Sequence, residues 1–133
     1  MPTPVELVRE SFALAANREP ALVENFYDRL FARAPELAPM FRRGRREQAE
    51  MLRAALVAVV EHLEDAPWLK ANVSALGARH HTYGVTSEMY APVGAALLEA
   101  LAAACGEAWT PAHADAWSAA YTQLASLMGG PPC

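Results

Sequence analysis

The chain has 133 residues, 53% of them hydrophobic and 20% charged, with a formal net charge of -4. That composition can fill one compact core and excludes a disordered chain, while the acidic balance excludes a general nucleic-acid binder. No basic segment followed by an apolar run opens the sequence. Its longest apolar stretches, 51–60 and 95–105, are broken by Arg53 and Glu99 and fall short of the roughly 18–20 residues of a membrane span, so a cytoplasmic protein with no membrane span is expected.

Thr3-Pro4-Val5-Glu6 has the pattern of a helix start, with a threonine cap, a proline at the first position and a glutamate three after the cap. Val5, Val8, Phe12 and Ala15 give that helix its apolar row. After Glu19-Pro20, the residues Val23, Phe26, Tyr27, Leu30 and Phe31 form a broad apolar face with Arg29 and Arg33 outside it. Pro35 breaks this helix, and 35–41 reads as a short helical turn ending on Phe41. Residues 42–46 (RRGRR) are a basic loop in an acidic chain, either solvated or a rim that neutralises anionic groups.

The longest helix is expected from Glu47 to about Glu64, with Gln48, Leu52, Ala55 and Val59 in one row. Gln48 is polar at the head of an inward row; it either sits at the exposed helix end or donates a hydrogen bond into a pocket. Asp65-Ala66-Pro67 begins the next helix, in which Leu69, Val73, Leu76 and His80 share a face. A histidine that continues an apolar stripe is either a core residue with a satisfied ring or a ligand aimed into a pocket. Gly84 is placed to end that helix, and Thr86 or Ser87 to cap one that opens with Glu88-Met89-Tyr90.

Tyr90, Val93, Gly94, Leu97, Leu98 and Leu101 line this helix to about Ala104, and Pro92 falls near its start. Thr110-Pro111 starts the last helix, whose inner face holds Trp117, Tyr121, Leu124 and Met128. Cys105 reads as a small buried hydrophobe, Cys133 as part of a flexible tail over 129–133; two such cysteines make neither a disulfide framework nor a metal knuckle. No strand-like alternation occurs. The reading is all-α, about six or seven helices, in a single domain over 1–133.

Together these residues resemble a globin. The similarity is to the haem domain of flavohaemoglobins and to single-domain bacterial haemoglobins of the Vitreoscilla type, and it covers about Val5 to Met128. Phe26 to Phe31 with Pro35, Leu37 and Phe41 resemble the family's second helix and the turn after it. Gln48 with Leu52 resembles its distal pair. Residues 79–85 (RHHTYGV), with Tyr90 and Val93-Gly94, resemble the segment around the proximal histidine, and Trp117 with Tyr121 the start of the last helix.

The resemblance implies haem b (iron protoporphyrin IX) held at a five-coordinate iron by His80, with Tyr90 able to fix the imidazole tautomer. It places Phe41, Leu52, Leu76, Val93, Leu97 and Leu124 as cofactor contacts. Tyr27 and Gln48 become hydrogen-bond donors to the ligand, which is O2, NO or CO. Two such bonds at about 1–1.5 kcal/mol each would slow oxygen release by about 30- to 150-fold. Tight oxygen binding and nitric oxide detoxification with an external reductase follow, the alternatives being oxygen storage or gas sensing without catalysis. Two departures bear on this: the glutamate that polarises the proximal histidine in flavohaemoglobins would lie past Cys133, and no reductase domain is present. His81 is expected at the surface or the haem edge, and His62 and His113 at the surface or in structural roles.

Overall fold

The computed structural model describes residues 3–18, 22–40, 45–82 and 89–128, without the side chains of Met40, Arg45, Arg46, Gln48 and residues 80–82. Among these residues there are six α-helices and no strand. The helices are α1 (Pro4–Arg18), α2 (Leu22–Arg33), α3 (Arg45–Glu61), α4 (Ala66–Thr82), α5 (Tyr90–Cys105) and α6 (Pro111–Leu127). Short 3-10 turns follow α2 (Pro35–Met40) and α5 (Gly106–Ala108). The all-α expectation holds.

The helix ends follow from their capping residues. Thr3 Oγ1 accepts from the Glu6 N–H at 3.2 Å, and Asp65 Oδ1 accepts from the Trp68 N–H at 3.2 Å, starting α4. At α6 the Thr110 hydroxyl accepts from the His113 N–H, and His113 Nδ1 accepts in return from the Thr110 N–H at 3.1 Å. This is a capping box in which an imidazole stands where glutamate is usual. The C-terminal carbonyls of α3 are met from outside: Arg9 donates to Val60 O at 3.1 Å and Glu61 O at 3.3 Å, and pairs with Glu64 at 2.8 Å.

The core is built around α5. Its row of Ala96 and Ala100, both buried, keeps the helix surface low, and α2 packs against α5 more extensively than any other pair does. Phe26, Tyr27 and Leu30 of α2, Val8 and Ala15 of α1, Leu97, Leu101 and Cys105 of α5 and Trp117 of α6 belong to one contiguous cluster. Glu99 draws both Arg33 and Arg29 across the α2–α5 rim, so these arginines do lie outside the apolar face, in exposed pairs worth at most about 1 kcal/mol each.

Three boundaries differ from expectation. Helix α3 starts at Arg45, taking Arg45 and Arg46 out of the expected basic loop 42–46, and ends at Glu61, so at 17 residues it equals α4 and α6 and is not the longest. Helix α5 starts at Tyr90, two residues later than expected; Gly84, Thr86, Ser87 and Glu88 lie outside the described residues. Pro92 is then the third helical residue, where no N–H is needed by the ladder. Finally, the stretch Tyr90–Ala108 is long and apolar enough to cross a membrane by length and composition, although 95–105 alone is too short. In this fold it is the central helix, packed by α1, α2 and α6.

Candidate functional site

Helix α4 is held differently from the others. Among the described residues its extensive packing is against α6 alone. Leu69 and Val73 are buried there, as is Ala125 of α6, yet all three stand outside the contiguous core cluster. The close approach is made possible by Gly77: a Cβ at this position would lie 2.5 Å from Met128 Cα and nearer still to its carbonyl oxygen. Ser74 Oγ adds a hydrogen bond to Leu127 O at 3.3 Å. The docked row is thus Leu69–Val73–Gly77, and Leu76, one position aside, is half-buried. His80 lies in α4 seven residues after Val73, and its side chain is outside those described.

The start of α5 is joined to α6 as well. Tyr90 is buried, also outside the main cluster, and its hydroxyl has no hydrogen-bond partner among the described residues. Burial pushes this phenol above its ordinary value, because the charged form would lose its hydration. Tyr121 of α6 donates from Oη to the Tyr90 carbonyl at 2.6 Å. Its ring lies where a Cβ on Gly94 would sit, 2.6 Å from Cε2. Burial, then the neighbouring Tyr90, raise the Tyr121 phenol, with the Gly94 backbone acting in the opposite sense.

The other expected contacts lie in or against the main core. Tyr27 is 4% exposed, between Phe26 at 5.1 Å and Phe31 stacked at 5.9 Å between centroids. Leu97 is buried in the same cluster, and Leu52 and Val93 pack against it. Leu124 is half-buried on α6, apart from that cluster. The expected residues therefore divide into two groups: Tyr27, Leu52, Val93 and Leu97 with the core, and Leu76, Tyr90 and Leu124 apart from it. Gln48 lies at the start of α3, with its side chain outside those described; Phe41 and residues 42–44 of the expected basic loop 42–46 lie outside the described residues.

A profile of globin sequences matches residues 24–128, the span that holds every one of these positions. The chain belongs to the globin family. Relatives of this globin include the flavohemoprotein of Bordetella pertussis, 37% identical over 127 residues, and that of Rhizobium meliloti, 30% identical over 128. These alignments cover 93% and 94% of the chain but 32% of each relative, so the globin spans about a third of their length. Among solved structures, a bacterial globin from Campylobacter jejuni superposes with a TM-score of 0.79 at 25% identity, over 94% of this chain and 91% of that one. A Pseudomonas aeruginosa protein described as structurally highly homologous to a human hemoglobin superposes at 0.84 and 21% identity, over 95% of both chains, a likeness of fold.

Sequence reasoning missed two features of this globin. Ser11 is buried in α1 and accepts from Trp117 Nε1 at 2.8 Å; its signal was a lone hydroxyl in the row of Val8 and Ala15. The Tyr121–Tyr90 bond links two residues that the sequence placed on separate helix faces. His113 takes the structural of its two expected roles, buried with Nε2 facing Glu10 at 3.4 Å. His62 is structural as well, stacked on Trp68 at 3.9 Å.

Proposed function

We propose that this globin would hold haem b through Nε2 of a neutral His80, and that Tyr27 and Gln48 would hydrogen-bond an O2, NO or CO ligand. The observation that carries the reading is the Tyr90 hydroxyl: buried, without a hydrogen-bond partner among the described residues, and ten residues beyond His80. A buried hydroxyl left unsatisfied costs about 1–3 kcal/mol. An imidazole bonded through Nε2 keeps an Nδ1–H that a phenol oxygen can accept, which would satisfy Tyr90 and hold the ring's tautomer. The standing of α4 apart from the core, with apolar side chains on both sides, suits a flat apolar cofactor between the two groups.

When bound, iron porphyrin supplies an open position for a diatomic gas and one-electron chemistry. The chain's own residues then decide what is held. Leu52, Leu76, Val93, Leu97 and Leu124, with Phe41, exclude water. Tyr27 supplies a hydroxyl donor and Gln48 an amide, which favour a ligand with polar, partly anionic oxygen over carbon monoxide. Tight oxygen binding follows, and with it nitric oxide detoxification, with electrons from a separate reductase. The similarity to flavohemoproteins supports this assignment; a cytoplasmic protein in which 1–133 forms one globin domain belongs to the same proposal.

The test begins with haemin added to purified protein. A Soret band is expected in the wild type and its loss in His80→Ala. In the loaded protein, Tyr27→Phe should speed oxygen release by about 5- to 12-fold, one neutral hydrogen bond of about 1–1.5 kcal/mol. An unchanged release rate would mean that Tyr27 does not reach the ligand. Sustained nitric oxide consumption with cellular reductants separates detoxification from storage; a ferric form that no cellular reductant recovers leaves oxygen storage as the function.

A further inference from the structure

We propose that Tyr121 is a positioning residue for Tyr90: its hydroxyl, bonded to the Tyr90 carbonyl, fixes the first turn of α5 and so the place of the unpartnered Tyr90 phenol. The proposal rests on the reading that Tyr90 serves His80. Three observations carry it. The Tyr121 Oη to Tyr90 O distance is 2.6 Å, a short bond to a carbonyl in the opening turn of α5, and it joins residues 31 apart in the chain. The Tyr121 ring fills the space over Gly94, four residues after Tyr90 and therefore directly below it on the helix. The phenol being held is itself buried and unsatisfied.

The first turn of a helix is its least constrained part, since its N–H groups have no partners within the helix. The Tyr121 bond to the Tyr90 carbonyl fixes the start of α5 from α6. A shift of this turn by a fraction of an ångström moves the Tyr90 hydroxyl through most of a hydrogen bond's range. Glycine at 94 fits the same purpose. Any side chain there would push the Tyr121 ring off the helix and stretch the bond above it.

The readout is the iron–histidine stretching band of the ferrous, haem-loaded protein in resonance Raman spectra, which reports how the His80 imidazole is polarised. Tyr90→Phe and Tyr121→Phe should both lower this band, and the double variant should match Tyr90→Phe alone, because Tyr121 acts only through Tyr90. Should Tyr121→Phe fail to fold, Gly94→Ala gives the same comparison with the hydroxyl kept and the ring displaced. A band unmoved by Tyr121→Phe, or a double variant shifted by the sum of the two singles, overturns the positioning role and leaves haem binding intact. A wild type with no Soret band overturns both.

Discussion

A hydroxyl inside an apolar helix row has to find partners on its own turn or on a neighbour, and Ser11 does both. Its Oγ donates to the Leu7 carbonyl at 2.7 Å and accepts from Trp117 Nε1 at 2.8 Å, while its carbonyl accepts from the Cys105 thiol at 3.4 Å. One serine thereby ties α1 to α5 and α6. Ser11→Ala leaves the indole N–H in the core without an acceptor and should cost about 1–3 kcal/mol, read as a lower urea midpoint at unchanged slope. A loss below roughly 0.5 kcal/mol, the level of a bland surface change, would mean that the indole finds another acceptor. The row that contains Ser11 was legible, since Val8 and Ala15 flank it at helical spacing. Its role was not, because periodicity weighs side-chain polarity and is silent about partners on other helices. Tyr27 shows the same divide: its burial follows from the face of Phe26 and Leu30, but nothing in that spacing says where its hydroxyl goes.

Element order, starts and stops were set largely by local chemistry, and the caps at Thr3, Asp65 and Thr110 stand where the sequence put them. What the sequence could not disclose is which row of α4 docks. The expected row ran through Leu76, yet the row against α6 continues through Gly77, because only a residue without a Cβ lets the Met128 backbone come so close. That is a tertiary fact with no local signature beyond one glycine inside a helix. It yields a test at this scale. Gly77→Ala forces α4 away from α6, an overpacking that costs about 1–3 kcal/mol. The strain falls on one helix, so amide hydrogen exchange within 66–82 should speed up by about 5- to 150-fold while the α2–α5 core keeps its protection. Uniform acceleration across all helices would mean that α4 does not open as a separate unit.

At the scale of the molecule, the three ionisable groups with raised values among the described residues all touch α5. Tyr90 is at its start, Tyr121 bonds to that start from α6, and Cys105 is at its end. Burial raises the Cys105 thiol above its ordinary 9.0, with Arg18 acting weakly against it, and burial raises both phenols above 10.0. For each group the folded state keeps its proton at a pH where the unfolded chain has lost it. The unfolded state then binds fewer protons, so unfolding free energy falls as pH rises. The window opens near pH 9 with the thiol and steepens past pH 10 with the phenols; below pH 9 these groups contribute no slope. Each group can contribute at most about 1.4 kcal/mol per pH unit inside its window. Urea midpoints between pH 7 and 11 should therefore stay level on account of these groups to about pH 9 and then decline. Tyr121→Phe should be less stable at neutral pH, where its hydrogen bond is lost, but should decline less steeply above pH 10. The two stability curves converge toward high pH if the phenol is held neutral by the fold. Parallel curves would mean that Tyr121 ionises as freely in the folded protein as in the unfolded chain, and that the junction of α5 and α6 admits water.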